Sequence, residues 1–140
     1  MNDDGVVDLA IYLSSDDPAM KRPSLYRPSF GWGDQYRRPD ASITPKGALV
    51  LQFGNDMGRD RWSKKYTILS RQGQLLVAGY TYNERDALQR GKGYRCDINL
   101  LTGSGVREGK SVQFPAGGVA LNIWTEGRGE ALCNGAPDGN

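Results

Sequence analysis

Residues 65–82, KYTILSRQGQLLVAGYTY, hold two short apolar segments on either side of a tight connection. KYTILS (65–70) and QLLVAGYTY (74–82) are rich in β-branched, aliphatic and aromatic residues, which favour extended strands. Between them, Arg71, Gln72 and Gly73 leave room only for a tight turn. We therefore predict a β-hairpin, in which Tyr80 and Tyr82 share one face of the second strand.

Similar strand patterns lie on both sides of this hairpin. They are VVDLAIYL (6–13), ALVLQF (48–53), YRCDINL (94–100), SVQF (111–114) and VALNIW (119–124). The clean alternation in 94–100 predicts that Cys96 points inward, and the glycines in 103–109 predict a turn region. Only NERDALQRG (83–91) has the capping residues of a helix. The chain is thus predicted to be one domain, 1–140, with an all-β, mainly antiparallel fold: a β-sandwich or open barrel with one short helix.

The segment 14–46 shows no regular period and is interrupted by Pro18, Pro23, Pro28, Pro39 and Pro45. We predict a long N-terminal loop there, and a flexible tail at 135–140. Aromatic and basic residues interleave in this loop, a mixture typical of surfaces that bind macromolecules. The candidate ligand-binding residues are Tyr26, Arg27, Trp32, Tyr36, Arg37 and Arg38. The alternative is that the rings cover the core as a lid while the arginines reach into water.

Two cysteines, Cys96 and Cys133, are the only ones in the chain. A disulfide between them would tie a core strand to a poorly anchored C-terminal segment and would indicate the periplasm or the cell exterior. The alternative is two buried thiols in a reducing cell. Met1 is followed by Asn2, Asp3 and Asp4, which do not form a signal peptide. The sequence therefore leaves a cytoplasmic protein, or one whose leader is missing from the given chain. No stretch reaches the ~20 apolar residues of a transmembrane helix.

Histidine is absent from all 140 residues. This excludes Ser-His-Asp and Cys-His catalysis and removes the commonest transition-metal ligand, so we expect no enzymatic activity, no cofactor and no metal site. A pair of carboxylates acting on a glycoside is left open, but nothing in the sequence selects such a pair. Residues 1–20 carry a charge of −5 and residues 21–95 a charge of +9. The excess of basic residues in 21–95 would favour binding of a polyanion. The alternative is that the acidic residues of 1–20 lie beside them and neutralise their charge.

One local resemblance rests on GSGVREGK (103–110) and LNIWTEGRGEALC (121–133). The two segments resemble the C-terminal half of bacterial C-type lysozyme inhibitors, which have an SG-containing loop, a W-x-K-G strand and a late cysteine. Glu126 stands where that family carries lysine, and the tyrosine expected shortly after Ser104 and Gly105 is absent. The resemblance covers about a quarter of the chain and implies inhibition of a cell-wall hydrolase.

Three functional hypotheses remain. The first is a non-enzymatic secreted or periplasmic binding module that recognises a protein or polysaccharide through the aromatic and basic loop. The second is a binder of polyanions or single-stranded nucleic acid that uses the same loop. The third is the hydrolase inhibitor implied by the resemblance.

Overall fold

The computed structural model describes residues 6–13, 24–32, 39–55, 60–86 and 93–134. These residues form ten strands, one 3-10 turn and one α-helix. The strands are β1 (Val6–Ile11), β2 (Leu25–Trp32), β3 (Asp40–Ile43), β4 (Leu49–Asn55), β5 (Asp60–Arg71), β6 (Gln74–Asp86), β7 (Gly93–Asn99), β8 (Ser104–Arg107), β9 (Lys110–Gln113) and β10 (Val119–Ala120). The 3-10 turn is Leu121–Ile123 and the helix α1 is Glu126–Asn134.

The main sheet is an antiparallel meander in which each strand from β3 to β9 pairs with the next one along the chain. The short β10 pairs with β6 on the stretch that β7 leaves open, and β3 and β9 are the two edges. β1 and β2 form a separate two-stranded antiparallel sheet. The prediction of an all-β, mainly antiparallel fold, a β-sandwich or open barrel with one short helix, is confirmed.

The hairpin predicted at 65–82 is the centre of this sheet. β5 and β6 pair through Arg71 and Gln74, and the two residues between them, Gln72 and Gly73, have φ values of 53° and 75°. Two consecutive left-handed residues make the kind of turn whose twist matches that of the flanking strands. Tyr66 and Tyr80 lie directly opposite each other in this pairing.

The core lies on one face of the main sheet, where the inward residues of β4 to β7 are covered by β2, the 3-10 turn and α1. Tyr66 is completely buried at its centre. Around it the ring centroids of Phe30, Tyr80 and Trp124 lie 5.2, 5.3 and 5.9 Å away. The tilted and edge-on arrangement of these rings is the one that aromatic quadrupoles favour. An aromatic cluster therefore joins the sheet to β2, through Phe30, and to the connection between the 3-10 turn and α1, through Trp124.

The disulfide between Cys96 and Cys133 is present, with their Cα atoms 5.6 Å apart. Cys96 lies on the inward face of β7 and Cys133 near the end of α1, so the bridge attaches the helix to the sheet. The prediction that Cys96 points inward is confirmed. The predicted tail, 135–140, lies outside the described residues.

The helix predicted at 83–91 is wrong at its start, because Asn83 to Asp86 continue β6. These residues pair with β5 on one side, and all but the last pair with β7 on the other. The cross-strand pairing overrides the helical signals of the local sequence. Residues 87–91 of that prediction lie outside the described residues. The helix that the described residues form is α1. The strand predicted at 119–124 ends after two residues, and β8 occupies part of the predicted turn region at 103–109.

The segment 14–46, predicted as a loop, contains the strands β2 and β3. The alternation of apolar and polar residues expected of a strand is interrupted in β2. Ser29 has a φ of 53°, and the register with β1 shifts between Val7 and Leu9. Asp8 lies at this shift. Its carboxylate accepts a hydrogen bond from the Ser29 N–H at 2.8 Å and one from the Tyr26 hydroxyl at 3.2 Å. The Asp8 side chain thus replaces the pairing that the strands lose at this point.

Within the described ranges, no helix combines the length and the apolar character that a membrane crossing requires.

Candidate functional site

Two adjoining cavities that share Lys64 lie on the covered face of the sheet, and we call them together the groove. Residues of α1 line both cavities, whereas residues of β2 line only one of them. The aromatic cavity, about 300 Å³, is lined by Ser29, Phe30, Gly31, Phe53, Trp62, Lys64 and Glu126. The carboxylate cavity, about 200 Å³, is lined by Lys64, Tyr80, Tyr82, Glu84, Glu130 and Cys133. Lys64 belongs to both cavities and stands between them.

The register of the sheet determines which side chains form the floor of the groove. Lys64 on β5 lies opposite Phe53 on β4 and opposite Tyr82 on β6. In the next row towards the edge of the groove, Trp62 lies opposite Glu84. Residues directly opposite in an antiparallel sheet point to the same face, so these five side chains share one surface. The continuation of β6 beyond Asn83, where a helix was predicted, is what brings Glu84 into this surface.

Lys64 is held in place by one carboxylate and two rings. Its Nζ lies 2.5 Å from Oε2 of Glu126, and 5.4 and 6.0 Å from the ring centroids of Trp62 and Tyr82. An ammonium group over an aromatic face is attracted by the negative charge density of the ring. The side chain of Lys64 is only 20% exposed, so this cation is largely withdrawn from water.

Glu126 also accepts a hydrogen bond from the buried hydroxyl of Tyr66, whose oxygen lies 2.5 Å from Oε1. Burial raises the pKa of Tyr66 far above its ordinary value, and the neighbouring carboxylate of Glu126 raises it further. Tyr66 therefore stays protonated and acts as a donor. Glu126 is the first residue of α1, where a negative charge also interacts favourably with the helix dipole.

Glu84 and Glu130 are exposed carboxylates on the rim of the carboxylate cavity. The hydroxyl of Tyr82 donates to Oε2 of Glu84 at 2.9 Å. Burial raises the pKa of Tyr82 most, the hydrogen bond to Glu84 raises it further, and Glu130 contributes as well. Tyr82 is thus a protonated donor at neutral pH. Its ring packs against that of Tyr94 with 6.2 Å between the centroids.

Both walls of the groove approach the sheet at a glycine. A Cβ added at Gly31 on β2 would lie 2.4 Å from Cε1 of Phe53, and one at Gly129 on α1 would lie 2.7 Å from Cζ of Tyr80. Neither distance is compatible with a side chain in the present packing. The end of α1 is further fixed by side chains of the sheet, because the Tyr94 hydroxyl donates to the carbonyl of Cys133 and Arg107 donates to that of Leu132 at 2.9 Å.

The predicted binding residues are distributed differently. Tyr26 is 54% exposed on β2, and its proximity to Asp8 raises the pKa of its hydroxyl. Arg27 is partly buried and donates to the carbonyl oxygens of Leu121 at 2.5 Å and Trp124 at 2.7 Å. Arg27 therefore holds β2 against the 3-10 turn, and neither residue lines the groove. The ring of Phe30 on the same strand is buried, as the lid alternative predicts.

Trp32 ends β2, whereas Tyr36, Arg37 and Arg38 lie outside the described residues. The ligand-binding role of the loop stays a prediction.

The sequence reasoning did not select the groove residues Lys64, Tyr82, Glu84, Glu126 and Glu130 as a site. One overlooked signal was a helix start: the Thr125 hydroxyl accepts a hydrogen bond from the N–H of Arg128 at 3.3 Å, as a residue preceding a helix commonly does. Recognising α1 would have placed Glu126 and Glu130 on the same face of one helix, since they are four residues apart.

Within the described part of the chain, the groove carries three carboxylates, Glu84, Glu126 and Glu130, against one ammonium group, Lys64. Among the residues described, no three Cys, Asp or Glu side chains are grouped so as to hold a metal ion. Comparisons of the chain with protein-family models, with curated proteins and with solved structures find no match. The residues of the groove present aromatic rings, fixed hydrogen-bond donors and a negative charge to a ligand.

Proposed function

We propose that the protein is a non-enzymatic binding module that acts outside the cytoplasm and recognises a macromolecule in the groove. The observation that carries this proposal is the pair of cavities joined at Lys64. Concave sites with apolar walls and a few fixed polar groups are the usual binding sites of proteins. Two adjoining cavities suit a ligand that presents two successive groups, as a polypeptide or a polysaccharide does.

The rigidity of the groove supports a binding role. The ion pair of Lys64 with Glu126, the hydrogen bond from Tyr66 and the disulfide at Cys133 all fix its lining before a ligand arrives. A preformed site loses less conformational entropy on binding than a flexible one. Glu126 makes two strong interactions within the protein, which suits a positioning role better than proton transfer.

The absence of histidine from the sequence supports a role without catalysis. A general base that works near neutral pH is most often a histidine. We therefore expect a bound macromolecule to be recovered chemically unchanged.

The disulfide supports a location outside the cytoplasm, because such bonds persist mainly in oxidising compartments. Protein purified from its native host with an alkylating agent present throughout should show no alkylated cysteine by mass spectrometry. Recovery of protein alkylated at both Cys96 and Cys133 would contradict the proposed location.

The charge of the groove argues against a polyanion as its occupant, since three carboxylates face one ammonium group. Binding of nucleic acid or heparin is thus expected only outside the groove, and the predicted candidates Arg37 and Arg38 lie outside the described residues. The hydrolase-inhibitor hypothesis rests on the sequence resemblance, because the stretch that corresponds to the W-x-K-G strand forms the end of the 3-10 turn and the start of α1 here. In that stretch Glu126 lies in the groove and Trp124 is buried in the core. Failure to slow lysozyme in a turbidity assay would remove that hypothesis.

The proposed function is tested by NMR titration with a defined set of macromolecules: lysozyme, soluble peptidoglycan fragments, heparin and a single-stranded oligonucleotide, each at two salt concentrations. We expect at least one of the first two to shift the amide signals of Trp62, Lys64 and Tyr82. Trp62→Leu should weaken that binding, while Val106→Ala, at an exposed position on β8, should not. Absence of binding by both, or shifts confined to residues outside the groove, would contradict the proposal, and cleavage of a bound ligand would contradict its non-enzymatic part.

A further inference from the structure

We propose that the carboxylate cavity binds an organic cation: the ammonium or guanidinium group of a lysine or arginine side chain on a partner protein. This inference rests on the proposed function and specifies the chemistry that one half of the groove recognises.

Charge is the first argument. Of the three carboxylates of the groove, Glu126 is neutralised by Lys64 at 2.5 Å. Glu84 accepts a hydrogen bond from the neutral hydroxyl of Tyr82, and neither Glu84 nor Glu130 contacts a cationic side chain in the part of the chain that the structure describes. Among the described residues, the cavity therefore presents two carboxylates whose charge a positively charged ligand would balance. A phosphate or carboxylate ligand would be repelled at the same place.

The groove already shows how it accommodates an ammonium group. Lys64 lies over the rings of Trp62 and Tyr82 with a carboxylate beside it. The carboxylate cavity offers similar groups, because the same Tyr82 ring also lines it, Tyr94 packs against that ring, and Glu84 and Glu130 stand at its rim. Aromatic rings combined with carboxylates are the usual recognition elements for alkylammonium ligands. The surroundings of Lys64 thus show which groups a bound ammonium group would contact in the carboxylate cavity.

Size and access complete the argument. The cavity measures about 200 Å³, which suits the end of one long side chain. Its rim residues are exposed, so a side chain from another protein can reach it. The positive charge of Lys64 does not oppose entry, since its partner Glu126 compensates it from the far side of the groove. Within the described segments no trio of Cys, Asp and Glu side chains is arranged for a metal ion, whereas the ring of Tyr82 beside two carboxylates suits an organic cation.

The test uses four short peptides, acetyl-Gly-X-Gly-amide, in which X is lysine, arginine, norleucine or glutamate. Norleucine keeps the aliphatic chain of lysine without its charge. In NMR titrations of the full chain at low salt, the lysine and arginine peptides should shift the signals of Tyr82, Glu84 and Glu130. The norleucine and glutamate peptides should not. Added salt should weaken the binding, because exposed charges are screened.

Glu130→Gln removes one charge at an exposed position of α1 and should leave the fold intact, which circular dichroism would verify. We expect it to weaken binding of the lysine peptide about two- to fivefold, the range of effect typical of one exposed ion pair. Asp40→Asn, an exposed carboxylate on β3, is the matched control and should have no effect. Equal binding of the norleucine peptide, or unchanged affinity in Glu130→Gln, would overturn the inference.

Failure of this inference can be told apart from failure of the proposed function. If lysozyme or a peptidoglycan fragment binds the groove but the lysine peptide does not, the ligand class is wrong and the function stands. If neither the macromolecules nor the peptides bind there, both are wrong.

Discussion

Tyr66, in the middle of the main sheet, and Glu126, the first residue of the C-terminal helix, are joined by a hydrogen bond of 2.5 Å across 60 residues of sequence. The phenol belongs to the buried aromatic cluster, and the carboxylate belongs to the groove. The same bond therefore stabilises the core and positions the partner of Lys64. A substitution of Tyr66 in the core should therefore also affect the positions of Glu126 and Lys64 in the groove.

Removing the Tyr66 hydroxyl should destabilise the protein. Tyr66→Phe keeps the ring in the cluster but removes the donor, and a hydrogen bond to a charged group contributes about 2 kcal/mol. Urea unfolding at pH 7 should show a loss of that size. Tyr26→Phe is the control, because its hydroxyl makes a hydrogen bond at the exposed surface and its loss should cost less than about 0.5 kcal/mol. Equal losses in the two variants would be inconsistent with the role given to Tyr66.

Stability should fall at alkaline pH. Burial, followed by nearby carboxylates, raises the pKa of Tyr66, Tyr80 and Tyr82 in the folded protein. In the unfolded chain these groups titrate near their ordinary pKa of about 10. Their contribution is thus fully present below about pH 10 and is lost as the pH rises towards the folded-state pKa values, because only the unfolded chain releases the protons. Urea midpoints from pH 8 to 11 should be level and then fall, and less steeply in Tyr66→Phe. Identical slopes for the two proteins would contradict the assignment.

Loss of the disulfide should be strongly destabilising. The bridge spans 37 residues, and the chain-entropy account gives about 4 kcal/mol for a loop of that length. We expect the double variant Cys96→Ala, Cys133→Ala to lose a similar amount in urea unfolding. Reducing the wild type should have the same effect and none on the variant. A wild type that is insensitive to reductant while its thiols are shown to be free would show that the bridge adds no stability.

The packing of α1 against the sheet should not tolerate a methyl group added at Gly129. Gly129→Ala places a Cβ against the buried ring of Tyr80, and overpacking of this kind costs about 1–3 kcal/mol. Gly127→Ala provides the matched control, because residue 127 is an exposed position of the same helix, where alanine should be neutral or stabilising by up to about 1 kcal/mol. Thermal unfolding would compare the two. A tolerated Gly129→Ala would mean that the helix can move away from the sheet at little cost.

The parts of the fold that could be predicted are those specified by neighbouring residues. The hairpin of β5 and β6 is one, since the apolar pattern and the Gln72-Gly73 turn agree. The inward position of Cys96 is another. The end of β6 was missed because its strand conformation comes from pairing with β5 and β7, not from the residues of NERD themselves. Similarly, β2 was missed because the left-handed Ser29 and the shifted register interrupt its period, while a distant Asp8 compensates for the interruption.

The groove could be predicted only in fragments. The shared face of Tyr80 and Tyr82 follows from strand geometry, and the mixture of rings and lysines around Trp62 is visible in the sequence. The position of Glu126 next to Lys64 depends on how α1 lies over the sheet. That arrangement is set by Gly129, by the disulfide and by contacts between residues far apart in sequence, none of which a local pattern specifies.

The hydrogen bonds of Arg27 have a consequence for the order in which the protein can mature. Its two carbonyl acceptors come 94 and 97 residues later in the chain. Synthesis proceeds from the N-terminus, so β2 emerges long before the 3-10 turn to which it docks, and α1 follows that turn. Contacts of such separation form late and slowly. A nascent chain can therefore complete much of the meander while neither wall of the groove is in place, and the groove is complete only after the residues of α1 have been synthesised.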